Sequence, residues 1–154
     1  MNENVVIASN SYDRIDGRNA YKSDIKRITL GLPRLEENKN MQIAAQIWKS
    51  DKDGKLILDR ELPIHQVFDL MILLSMALLY FKEAYRFPFL YDPDNPKIDR
   101  IGLQGDVLPV EVCIDNKNIN VDIKEFAQSL NDLGEIIGER QRVLGRILDE
   151  LECY

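Results

Sequence analysis

The chain has 154 residues, enough for one domain with a sizeable core and no need of a staple. Its apolar (45%) and charged (30%) shares are those of an ordinary globular chain. The net charge is −6, and no cluster of Lys or Arg is longer than a pair; this argues against a nucleic-acid binder and against attachment to an anionic membrane surface. The two cysteines, Cys113 and Cys153, match no metal or redox spacing. The expectation is a cytoplasmic protein with reduced thiols, no metal and no cofactor. The N-terminus carries Glu3 and only a short apolar run, so no signal peptide is expected.

Taken in order, Val5 to Ala8 reads as a short strand, and Ser9 to Ser23 is polar and irregular, with Asp16-Gly17 as a turn signal. Ile25 to Leu32 alternates, with Ile28, Leu30 and Leu32 on one face and Arg27 and Thr29 on the other. The clearest β signal covers residues 41–62. Met41, Ile43, Ala45 and Ile47 share a face, Ser50 to Gly54 makes a turn, and Leu56 and Leu58 alternate against Ile57. Trp48 sits late in the first strand of this hairpin, placed to cap one end of a sheet.

A helix is expected over about 63–86. Pro63 suits its first position, and Phe87-Pro88 ends it. Leu70 to Phe81 is apolar on every side except for Ser75, so it must be covered on every side. The run is short of the ~20 apolar residues that span a bilayer, which makes it a buried central helix and excludes a membrane role. Phe87 to Pro109 reads as a long connection rigidified by Pro88, Pro93 and Pro96, and Val110 to Ile114 as an edge strand. Asp115 to Asn118 is a turn. A final long helix of about 119–151 has apolar positions stepping by four and three, from Ile119 through Phe126, Leu133 and Leu144 to Leu151. At 1.5 Å per residue it would be about 50 Å long, so it bends or extends into a partner.

Arg140 stands where the seam expects an apolar residue, and Asp69 is its counterpart on the apolar helix. A buried unpaired charge costs several kcal/mol, so an ion pair of Arg140 with Asp69 or Glu83 is one reading. A guanidinium that snorkels to water is the other. Gly134, Gly138 and Gly145 each cost about 1 kcal/mol against Ala inside a helix. Close approach of another element, from this chain or a second copy, would offset that cost; a helix break near Gly138 is the alternative.

The candidate ligand-binding residues gather in the polar connection: Tyr85, Arg86, Asp92, Asp99, Arg100, Gln104 and Asp106. His65, the only histidine, is added at the sheet-to-helix corner, where a structural role competes with that of a general base. The irregular segment 12–24 has the same Asp, Arg and Tyr character as 85–106. The runs Glu83-Ala84-Tyr85-Arg86, Leu90-Tyr91-Asp92-Pro93 and Ile98-Asp99-Arg100-Ile101-Gly102-Leu103-Gln104-Gly105-Asp106 resemble a family of bacterial proteins of about this length and of unknown function. The resemblance implies no activity and transfers no functional residue.

The reading is a single α+β domain over 1–154: a small antiparallel sheet, including the 41–62 hairpin, packed on two long helices. Its function is expected to be that of a non-catalytic cytosolic binding or interaction protein, self-associated as a homodimer, with a small molecule or another protein as a further partner. The alternative is a small hydrolase-like enzyme whose carboxylates, arginines and His65 line a pocket between segments 12–24 and 85–106.

Overall fold

In the computed structural model, which describes residues 3–15 and 24–152, the chain is α+β. It divides into two compact units, Met1–Met71 and Ile72–Tyr154, whose boundary falls inside a helix. The Asp16-Gly17 turn and Cys153 lie outside the described residues.

The first unit holds a four-stranded antiparallel sheet of β1 (Val5–Ser9), β2 (Ile25–Gly31), β3 (Ala44–Ser50) and β4 (Leu56–Pro63), in that spatial order. The strands and the hairpin form where alternation and turn chemistry place them. In the β3–β4 turn, Asp51 Oδ1 accepts the backbone N–H of Asp53 at 2.9 Å and of Lys55 at 2.8 Å, and Gly54 takes φ +79°. Gly31 is required by the edge pairing, because a Cβ there would lie 2.0 Å from the carbonyl oxygen of Asn4.

The face of the sheet that is buried is the polar one. Arg27 and Thr29 of β2, Ala44, Gln46 and Trp48 of β3, and Glu61 of β4 are buried, whereas Ile28 on the opposite face is exposed. Buried polar groups persist when hydrogen-bonded, and Thr29, Gln46, Trp48 and Glu61 form one such chain. Trp48 Nε1 donates to Thr29 Oγ1 at 2.9 Å, and Thr29 Oγ1 donates to Gln46 Oε1 at 2.6 Å. Gln46 Nε2 donates to Glu61 Oε2 at 2.8 Å. The guanidinium carbons of Arg27 and Arg34 lie 5.2 and 5.3 Å from the Trp48 ring centroid. Trp48 therefore belongs to the middle of a polar layer and does not cap the sheet.

Pro63 closes β4, and α1 (Ile64–Phe81) begins at the next residue. It ends at Phe81, with a separate short turn at Ala84–Arg86. Contrary to the expectation of a buried central helix, no residue of α1 is buried. Apolarity on every side shows that a helix must be covered, but a single chain does not have to supply the cover.

The second unit contains the hairpin of β5 (Lys97–Gly102) and β6 (Val107–Glu111), followed by α2 (Ile119–Asp132) and α3 (Gly134–Leu151). β5 forms inside what reads as a loop. A register shift between Lys97 and Asp99 breaks the period of two, so Ile98 and Ile101 fall three apart. Pro109 sits in a two-stranded sheet, where every strand is an edge. Ala84, Tyr91, Val110 and Ile123 are the buried apolar residues of this unit. Tyr91 Oη donates to Asn120 Oδ1 at 3.0 Å, Tyr80 Oη donates to the Leu90 carbonyl at 3.0 Å, and the Phe81 and Phe126 rings lie 5.5 Å apart.

The expected continuous final helix is instead two helices. The break is at Leu133 (φ −89°, ψ 8°), which ends α2 and starts α3, and the chain is helical through Gly138. Among the described residues, a Cβ at Gly134 or Gly145 would meet nothing within 4 Å, and one at Gly138 only Arg142 at 3.1 Å. Among the described residues, no close neighbour explains Gly134 and Gly145.

Candidate functional site

The β5–β6 hairpin brings Asp99, Arg100 and Asp106 together with Lys97 and Glu111 around an open concavity of about 490 Å³. Two of its carboxylates are engaged by the hairpin itself. Asp99 Oδ1 accepts the Arg100 N–H at 2.6 Å, and Asp106 Oδ1 accepts the Val107 N–H at 2.7 Å. Gln104 is exposed in the hairpin loop. Other candidates of this stretch serve local structure. Asp92 Oδ1 accepts the Asp94 N–H at 3.0 Å, and Arg86 lies 3.2 Å from Glu83 Oε2 with its guanidinium over the Phe87 ring. Tyr85 is 79% exposed. Burial raises the pKa of Tyr80, whose hydroxyl fastens Leu90; the negative charge of Asp92 adds to the rise and Arg86 opposes it.

His65 belongs to the first unit, where it lines an open hollow of about 420 Å³ with Met41, Ile43 and Pro63. In segment 12–24, Asp13 pairs with Lys26 at 3.4 Å and Asp24 with Lys49 at 3.6 Å, while residues 16–23 lie outside the described residues. Asp69 lies in the first unit and Arg140 in the second. Arg140 Nη1 bonds the Ile136 carbonyl at 3.5 Å and Glu139 Oε1 at 3.4 Å. Among the described residues, no group of three or more His, Cys, Asp or Glu is placed to hold a metal ion.

Sequence reasoning missed Glu61, the most heavily bonded carboxylate described. It accepts from the backbone N–H of Arg34 and of Leu35 at 2.8 Å each, from Asn38 Nδ2 at 3.3 Å and from Gln46 Nε2 at 2.8 Å. Burial pushes its pKa up, but these bonds outweigh burial and hold it below the usual carboxylate range. Its partners pin the segment after β2 onto the sheet. A signal was present: polar residues recurring at alternate positions in adjacent strands, with Thr29 opposite Gln46 and Gln46 opposite Glu61.

Helix α1 carries exposed apolar side chains. On α1, Phe68, Leu70, Leu73, Leu74 and Leu79 are 41–60% exposed. Together they leave on the order of 500 Å² of apolar surface in water, distributed round the helix. By length and composition, α1 is the one helix among the described residues long and apolar enough to cross a membrane. Its first turns carry His65, Gln66 and Asp69. On α3, Val143, Leu144, Ile147, Leu148 and Leu151 are 36–60% exposed.

Fold and surface together define an α+β protein with a buried, hydrogen-bonded polar layer on its sheet and apolar side chains exposed on its helices. The chain belongs to a family of unknown function, DUF6530, which it matches over residues 1–154. No curated protein and no solved structure matches it.

Proposed function

We propose that this chain is a non-catalytic interaction protein of the cytosol that works as a self-associated assembly, with α1 as its main contact surface. The observation that carries the proposal is α1 itself: 18 residues, a single charged side chain, and no residue buried. Covering ~500 Å² of apolar surface is worth at most about 12 kcal/mol before the costs of association, and a partner that excludes water from part of it gains a share of that. A protein partner fits better than a bilayer. A carboxylate such as that of Asp69 is unfavourable in hydrocarbon, by about 3 kcal/mol at a bilayer's centre and less toward its surface, and β4 runs into α1 with no linker between them. The exposed Cys113 thiol suits a reducing compartment. The charged hairpin concavity supports catalysis less well, because Asp99 and Asp106 already bond the hairpin backbone.

Sedimentation velocity on the full chain tests this reading. Wild-type protein is expected to run at a multiple of the chain mass of 17.8 kDa, and Phe68→Glu with Leu79→Glu as a monomer. A wild-type monomer at every concentration, or recovery in the membrane fraction, overturns it.

A further inference from the structure

We propose that the second half of α3 pairs antiparallel with the same segment of a second copy, setting Arg140 of each chain against Glu150 of the other. The proposal rests on the self-association reading above and gives it a second, register-specific contact.

Every residue from 141 to 152 is exposed. The apolar residues of this length of α3 are confined to one side. At 100° per residue, Val143, Leu144, Ile147, Leu148 and Leu151 occupy an arc of about 140°, and Arg140 falls near the middle of the same arc. Read as heptads, Leu144 and Leu151 hold one seam position, and Arg140 and Ile147 hold the other.

Antiparallel pairing sets one kind of seam position against the other. Leu144 then faces Ile147 of the second copy, Ile147 faces Leu144, and Leu151 faces Arg140. The Arg140 stem can lie along the opposing Leu151, which brings its guanidinium to the edge of the stripe, where Glu150 stands. Parallel pairing would put Arg140 against Arg140, so it is disfavoured. The wider charge pattern agrees. Arg140, Arg142 and Arg146 precede Ile147, whereas Asp149, Glu150 and Glu152 follow Leu148. Head to tail, the positive half of each segment meets the negative half of the other, which makes a second copy of this chain the complementary partner. The stripe would bury on the order of 400 Å² per copy, about half of a standard partner surface, so its own contact is weak and sensitive to single charges.

Sedimentation equilibrium on the full chain decides it. Arg140→Glu and Glu150→Arg are each expected to weaken association at least tenfold, and the two together to restore it to within about threefold. Orientation is read separately, in a Cys113→Ser, Cys153→Ser background. Chains carrying Leu144→Cys mixed with chains carrying Ile147→Cys are expected to form the mixed disulfide on oxidation, in preference to Leu144→Cys with itself. If wild type associates but the charge reversals change nothing and no mixed disulfide forms, the α3 pairing is overturned while self-association stands. Preferential self-linking of Leu144→Cys overturns the antiparallel register. Wild type that stays monomeric overturns both readings.

Discussion

The four-stranded sheet and helix α1 invert the usual relation between polarity and burial in opposite senses. On one face of the sheet, Thr29, Gln46 and Glu61 are taken out of water with hydrogen-bond partners for their polar atoms. On α1, Phe68 and Leu79 are each 60% exposed although nothing on them favours water. What separates the two regions is local supply. The strands and the segment at 34–38 carry enough donors to saturate a buried carboxylate. Beyond Asp69, α1 offers almost only apolar side chains, and these gain from a covering surface. Thr29, Gln46 and Glu61 of the polar layer are thus satisfied within the chain, whereas α1 leaves apolar side chains in water.

The sharpest way to break this comparison is to remove Glu61. Glu61→Ala orphans two backbone N–H groups and the Gln46 amide, and is expected to cost about 3–4 kcal/mol in urea unfolding. A change below about 1 kcal/mol would mean that water replaces the carboxylate and that the layer is not sealed. The same residue sets a pH dependence. A carboxylate held below its usual range contributes stability above its unfolded pKa and loses it as pH falls through the folded value. Wild type should therefore weaken on acidification below the usual carboxylate range. Glu61→Gln should be less stable at neutral pH and should lack that part of the acid slope, measured by urea midpoints from pH 7 downward.

Trp48→Phe probes the layer more gently. It removes the donor to Thr29 and part of the arginine stacking, for an expected loss of about 1–2 kcal/mol. Tyr91→Phe is its counterpart in the second unit, where one hydrogen bond to Asn120 is worth about 1 kcal/mol by the same measurement. The smallest stability effect is expected on α1. Phe68→Ser or Leu79→Ser should shift the unfolding free energy of dilute, monomeric protein by no more than about 0.5 kcal/mol, while lowering its sedimentation coefficient at high concentration. A loss as large as that of Glu61→Ala would place these side chains in an intrachain core.

The local elements were legible because their causes are local. Asp51 and Gly54 make the β3–β4 turn, and Ile25 to Leu32 and residues 41–62 alternate as paired strands do. β5 was hidden by its bulge, since one shifted residue turns Ile98 and Ile101 from an alternating pattern into an apparent loop. The break at Leu133 was hidden for the opposite reason. An apolar residue continues the seam, and only the backbone angles at that position interrupt the helix. Of the candidate site residues, Asp99, Arg100 and Asp106 share one concavity because a hairpin joins them. Glu61 went unread because the value of a carboxylate depends on donors more than twenty residues away in the chain.

Sequence alone determined the α+β class, the 41–62 hairpin, the apolar character of 64–81 and the anomaly of Arg140 in the seam. Each of these is a matter of period, turn chemistry or composition within a short window. Tertiary structure alone decided which face of the sheet is buried, that α1 is left uncovered, and that α3 presents its stripe to solvent. Burial is a property of what lies across a gap in space, and no local pattern of residues records whether that gap is filled by the same chain.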